Sequence, residues 1–218
     1  MNKNEKFVIT INRELGSGGR TVGEKLAAKL GVPFYDKALI KALTEKYNLT
    51  VEEIERLKGR KHGWWADFKR VVGIGQVFIN SSKYYEVEMG KETELLTTGE
   101  MYKVEKEIVK GIAADESCVI AGRTACYVFR DHPNHLSIFI QASMPCRMAR
   151  VAREQNMSKE EARLTIEKVD KMRENYVQEF TGTSRYDTRN YQLVINMDEI
   201  NEDAAVDLIL AYIRSMAA

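Results

Sequence analysis

Little in this chain of 218 residues leans to one side. Lysine and arginine number 33 against 32 aspartates and glutamates, so there is no surplus charge to draw it generally to nucleic acid or to an anionic membrane. Cysteine is scarce: three, an odd count without paired spacing. That argues against a disulfide framework and for a reduced compartment. Cys118 and Cys126 read as buried small hydrophobes rather than reactive thiols. No apolar run is long enough to span a bilayer. The first six residues are polar and lead straight into an apolar strand, unlike a signal peptide. Neither an internal repeat nor a low-complexity linker breaks the sequence. The expectation is a soluble, cytoplasmic protein with length enough for one domain and a substantial core.

Against these absences one stretch stands out. Phe7-Val8-Ile9-Thr10-Ile11 is short, apolar and β-branched, as a strand buried on both faces should be. Asn12 to Thr21 follows, carrying Gly16, Gly18 and Gly19. Then Val22, Leu26 and Leu30 recur at a spacing of four, one helical face, and Gly31 is a C-terminal stop. A strand, a glycine-rich loop and a helix N-terminus form a site for phosphate, because main-chain N–H groups can approach the anion closely. The pattern G-x-x-x-x-G-K-[ST] is met in two imperfect registers. In one, Gly19, Arg20 and Thr21 fall on glycine, lysine and hydroxyl, with Glu14 in place of the first glycine. In the other, Gly16 and Gly18 open a G-x-G-K-G-T ending, so that Gly19 replaces the lysine and Arg20 a glycine. Neither supplies a lysine. Arg20 would then offer a cationic fork to phosphate, and Thr21 a hydroxyl to magnesium. The simpler alternative is a turn that only lets a helix pack on a strand.

Further along, Val32 to Asp36 reads as a second strand ending on a carboxylate. Asp36 either faces substrate or magnesium, or caps the helix expected over residues 37–46. Thr50-Val51-Glu52-Glu53 is a capping box. Residues 50–97 then bring together basic residues 58–62, Trp64, Trp65, Phe68 and Tyr84-Tyr85. They read as a helical insertion whose aromatics form core or a subunit interface, or which holds a phosphorylated acceptor. His62 is a base or incidental. Residues 98–114 form a helix leading to the buried strand Ser117 to Ala121, with Gly122-Arg123-Thr124 off its end, which puts Arg123 at the ligand edge of a sheet. His135 to Ile140 is the next strand. Residues 144–155 form a helix carrying Arg147, Arg150 and Arg153, suited to nucleotide phosphates or a base. Ser158-Lys159-Glu160-Glu161 is a second capping box, opening a long charged helix to Phe180 with thin apolar content, expected to pack weakly and to move. A last strand, Tyr191 to Asn196, and a helix from about Asn201 complete the chain. Strands alternating with helices imply an α/β three-layer sandwich around a five-stranded parallel sheet.

Taken together these residues resemble the nucleoside monophosphate kinases, and within them the cytidylate kinase-like family. The resemblance rests on Ile9-Thr10-Ile11, the loop Gly16 to Thr21 and Ile120-Ala121-Gly122-Arg123. It continues through Ile138 to Ser143 with Arg147 and Arg150, Asp170-Lys171-Met172-Arg173 and Val194-Ile195-Asn196. It covers most of the chain outside residues 50–97. It implies a single P-loop kinase-like domain over residues 1–218, an acceptor-binding insertion at 50–97 and a lid at 156–190. It implies transfer of the terminal phosphoryl group of ATP, with magnesium, to a nucleoside monophosphate such as CMP. The amides of Gly16, Ser17, Gly18, Gly19 and Arg20 would cradle the donor phosphates. Arg20 would stand in for the lysine, and Thr21 would ligate the metal. Arg147 and Arg150 would meet the donor, Arg173 and Lys168 would close on the transferring group, and Arg123 and Asp170 would hold the acceptor, with Asp36 nearby. Where cytidylate kinases carry Asp-Gly-Arg-Asp, this chain has Ala121-Gly122-Arg123-Thr124. A kinase of another small acceptor, or a nucleotide-binding regulatory module without turnover, are the alternatives. A homo-oligomer built through the aromatic insertion is a further expectation.

Overall fold

The computed structural model describes residues 1–2, 5–36, 50, 52, 54, 65–66, 99–122 and 124–216. The helix expected over 37–46, nearly all of the insertion at 50–97 and Arg123 lie outside the described residues. Five strands run parallel: β1 (Val8–Arg13), β2 (Phe34–Asp36), β3 (Cys118–Ala121), β4 (His135–Gln141) and β5 (Leu193–Asn196). Their spatial order is β2-β3-β1-β4-β5. Helices among the described residues are α1 (Gly19–Leu30), α2 (Gly99–Asp115), α3 (Ala125–Val128), α4 (Met144–Gln155), α5 (Lys159–Thr181) and α6 (Glu202–Met216).

β1 is central because both of its edges are paired. Val8 to Ile11 align with Cys118 to Ala121 on one side, and Val8 to Arg13 with His135 to Ile140 on the other. A strand so enclosed must be apolar on both faces, and Val8, Ile9 and Ile11 have no exposure. One face carries Ile9, Ile11, Leu136, Ile138 and Ile140 against Val22 and Leu26 of α1 and Ala205, Ile209 and Ile213 of α6. The other carries Val8, Tyr35, Cys118 and Ile120 against Ile108 and Ile112 of α2, Ala125 of α3, and Ile54 and Trp65. The result is a three-layer sandwich. Trp65 is fully buried, its ring edge-on to Tyr35 at 6.2 Å, so this aromatic of the insertion packs as core. Cys118 and Cys126 are buried, and burial pushes the Cys126 thiol up to about 12, far from nucleophilic use. Among the described residues no helix is long and apolar enough to cross a membrane.

Local signals set the helix ends. Gly31 takes φ 68° and closes α1 through its N–H on Ala27 and Ala28. Ser158 accepts from the Glu161 N–H at 3.2 Å, while its own N–H donates to Glu161 Oε2 at 2.8 Å. This is the reciprocal box expected for α5. α5 docks by a narrow seam: Ala162, Ile166 and Val169 meet Leu15 and Val151 of α4. A buried carboxylate on the same face, Asp170, adds to that seam, and further along α5 Tyr176 and Phe180 pack on Tyr102 of α2.

In the order β2-β3-β1-β4-β5 the chain steps first to one side of β1 and later to the other. The direction reverses beside β1, and ligands of open α/β sheets bind outside the carboxyl ends of the strands at such a point. The glycine-rich loop leaves β1 there.

His135 carries the pH dependence we expect of the fold. Its Nε2 lies 2.7 Å from Thr10 Oγ1. Burial, with nearby His132, lowers its pKa from 6.5 to about 4. The unfolded chain therefore takes up a proton that the folded protein refuses, and stability is lost as pH falls from 6.5 towards 4. Thermal unfolding of His135→Gln across that interval should show a shallower fall than the parent protein. Parallel curves would contradict the assignment.

Candidate active site

The loop after β1 is held from several sides. The Glu14 N–H donates to Ile140 O at 3.1 Å, extending the β1–β4 pairing one residue. Ser17 is buried, and both its N–H and its hydroxyl donate to Glu14 O, at 3.3 and 2.9 Å. Ser17 thus fastens the turn. Gly16 and Gly18 adopt φ of 78° and 81°, the left-handed region. Space also demands glycine at 16, where a Cβ would lie 2.8 Å from the carbonyl oxygen of Arg147. Gly18 is the N-cap of α1 and brings no side chain to it. The first N–H groups of a helix have no intrahelical acceptor, and here they open onto a cavity of about 320 Å³. The cavity is lined by Gly16, Gly18, Gly19 and Thr21 and by the cations Arg13, Arg150 and Arg173, among others. Unclaimed amides, a helix dipole and converging guanidinium groups make an anion site.

A buried charge cluster lies beneath the loop. Arg147 bridges Glu14 Oε1 at 2.9 Å and Asp170 Oδ2 at 2.8 Å. Asp170 Oδ1 accepts the Leu15 N–H at 3.1 Å and lies 3.5 Å from Arg185 Nη1. Glu14 also accepts the Ala142 N–H at 3.1 Å. Arg185 donates to the carbonyl of Arg13 and lies near the rings of Phe139 and Tyr186. Burial, more than any neighbouring charge, lowers its pKa. Asp170 and Arg147 are 6% and 5% exposed. They serve the shape of the loop rather than its open side.

The residues expected at the site are therefore divided. Gly16, Gly18, Gly19, Arg20 and Thr21 surround one cavity with Arg150 and Arg173. Thr21 is exposed to it. Arg150 packs under Gly18 and pairs with Glu202. Arg20, read as the stand-in for the lysine, directs its Nε to Asp36 at 3.0 Å and its Nη1 to Glu24 at 2.8 Å. Burial raises the Glu24 pKa above its ordinary value, against the pull of Arg20. Asp36, at the end of β2, is buried in this pairing. Arg147 and Asp170, read as contacts to donor and acceptor, are instead paired with each other. Lys168 is exposed on α5 and does not line the cavity. Arg123 is outside the described residues. The sequence reading passed over Arg13, Glu14 and Arg185. The signal for the first two was in plain view: charged residues at the C-terminal end of a fully buried strand.

Asp170→Ala would leave Arg147 and Arg185 buried with fewer counter-charges. Breaking such a cluster costs about 3–5 kcal/mol. Urea denaturation should show that loss as a lower midpoint at unchanged slope. A loss below about 1 kcal/mol, the worth of an exposed pair, would contradict the burial argument.

Comparison with known proteins agrees with this geometry. The sequence profile of the cytidylate kinase-like family matches residues 8–199. A cytidylate kinase of Saccharolobus islandicus is 28% identical over 97% of this chain and 93% of its own length. One from Sulfurisphaera tokodaii is 20% identical over 97% and 98%. Among solved structures, an uncharacterized protein from Eubacterium ventriosum matches at a TM-score of 0.64 and 24% identity, covering 96% of this chain and 99% of that one. The shikimate kinase of Bacteroides thetaiotaomicron shares the fold at a TM-score of 0.51 and 15% identity, over 95% and 98%. With its profile match spanning most of the sequence, the chain belongs to the cytidylate kinase-like family, phosphotransferases of the nucleoside monophosphate kinase type.

Proposed function

We propose that the chain transfers the terminal phosphoryl group of ATP to a nucleoside monophosphate, with CMP the first acceptor to try. The observation that carries this reading is the open N-terminus of α1 under a glycine loop, facing a cavity that Arg13, Arg150 and Arg173 line. The cavity is roomy and its amides point at no side-chain cap, so a polyphosphate fits the groups present.

Phosphoryl transfer asks a protein mainly for positioning and charge neutralisation. The amides of Gly18, Gly19, Arg20 and Thr21 hold the donor phosphates in line, and Ser17 keeps the turn closed around them. Thr21 Oγ1 is exposed at the cavity and is the protein's ligand for magnesium. A magnesium ion held by Thr21 would supply charge neutralisation to the donor phosphates, and such an ion commonly takes only one or two protein ligands. Arg150 and Arg173 neutralise charge from the α4 and α5 side, and residues 156–190 act as the lid. Arg20, in the first turn of α1, and Asp36, at the end of β2, pair with each other and stand on the acceptor side.

One observation favours a second acceptor class. Ala121 and Thr124, both buried, occupy the positions where cytidylate kinases carry carboxylates. A phosphorylated or hydroxylated small molecule other than CMP is then the acceptor, on the same donor machinery.

Thermal shift and coupled ADP release test both. A ligand at a hundred times its dissociation constant stabilises by about 2.7 kcal/mol, so MgATP should raise the melting temperature measurably. ADP release with CMP, UMP or dCMP supports the first reading, and ATP binding without release on any nucleotide supports the second. No response to MgATP overturns the proposal. Thr21→Val should keep ATP binding but weaken the binding of magnesium, read as a higher magnesium concentration at half-maximal shift.

A further inference from the structure

We propose that Arg13, the last residue of β1, brings to the donor phosphates the positive charge that a P-loop lysine brings elsewhere. This deepens the phosphotransfer reading above and rests on it. In the register where Gly16 and Gly18 open a G-x-G-K-G-T ending, the lysine position is Gly19. Gly19 is not among the glycines of positive φ, so backbone conformation does not demand glycine there. Space does. A Cβ at 19 would lie 2.7 Å from the Cβ of Arg13, 3.2 Å from the Cβ of Ile140 and 3.4 Å from the Cδ of Arg13. The side chain of Arg13 thus runs through the volume that a side chain at 19 would enter. Its far end is also located: Nη1 lies 3.0 Å from where a Cβ of Gly122 would be. The side chain therefore runs from beside Gly19, where its stem lies, to the turn after β3, where its guanidinium ends, and Arg13 and Gly19 line the same cavity. Glycine at 122, with φ 115°, leaves it room.

The backbone of Arg13 is fixed as a lysine's would be. Arg13 aligns with Ile140 at the end of the β1–β4 ladder, and its carbonyl accepts from Arg185. A planar fork on a fixed stem can take two phosphate oxygens at once, where an ammonium takes them as a point charge. Arg20, the other candidate, pairs with Asp36 and Glu24, and the charge of Arg13 acts on Glu24 as well. The lysine has been replaced from the neighbouring strand, and glycine at 19 is the accommodation.

The experiment moves the charge. Arg13→Met keeps the stem beside Gly19 and removes the cation. It should weaken MgATP binding and lower kcat/KM by on the order of 10–100-fold, the worth of a hydrogen bond to a charged group. Arg13→Gly with Gly19→Lys clears the 2.7 Å contact and returns a cation to the usual position. It should recover about tenfold of that loss, while Gly19→Lys alone should not exceed the parent, because Arg13 still fills the space. Arg20→Met is the control and should lower MgATP affinity less than Arg13→Met. Thermal unfolding without nucleotide reports whether each variant is folded. If Arg13→Met binds and turns over MgATP like the parent, or Arg20→Met is the more damaging, the assignment to Arg13 is overturned while phosphotransfer stands. A parent protein that ignores MgATP takes both down.

Discussion

The position of Asp170 is the constraint on which the site depends. This carboxylate sits between Arg147 and Arg185 and accepts the N–H of Leu15, so one buried anion joins the loop, α4 and α5. Burying charge is expensive, and a well-packed apolar cluster often serves stability better. What the ionic cluster adds is direction. A carboxylate accepts only along its lone pairs and a guanidinium donates in a plane, so the loop is held in one shape. That shape leaves the first amides of α1 open before any ligand arrives. An anion site built in advance spares the ordering cost that a floppy loop would incur on binding.

Two layers of cations follow from this arrangement. The lower layer, Arg147 and Arg185, is consumed by Glu14, Asp170 and main-chain oxygen, and gives the loop its form. The upper layer, Arg13, Arg150 and Arg173, lines the cavity. Sequence proximity does not separate the layers: Arg147 and Arg150 are one turn apart on α4, yet one faces the buried cluster and the other lies under Gly18. Lys168 and Arg173 divide likewise on α5. At about 100° per residue Lys168 points about 160° away from Asp170, whereas Arg173 lies within about 60° of it.

That geometry marks what the sequence could and could not tell. The strands were legible because each is a short β-branched run buried on both faces, and the helix ends because Gly31, Ser158 and Glu161 cap through contacts within a few residues. The parallel five-stranded sheet followed from their alternation. The phosphate loop was legible as glycines between a strand and a helix. The depth of Arg147 was not, because its partners Glu14 and Asp170 lie 133 and 23 residues away and only the fold brings them together. The four-residue α3 was too short to show a period. The orientation of Lys168, by contrast, was available from helical spacing once Asp170 was placed on the buried face. Arg13 is hidden differently: it sits on the strand before the loop, outside the motif's spacing.

The central claim is that main-chain amides from Gly16 to Thr21 receive a polyphosphate. Amide resonances report this directly. In a nitrogen-15 NMR titration of the full chain with MgATP, the signals of Gly16, Gly18, Gly19, Arg20 and Thr21 should move together and saturate, with larger shifts than those of β5 or α6. Saturable binding that leaves these five amides unmoved while signals elsewhere shift would contradict the account.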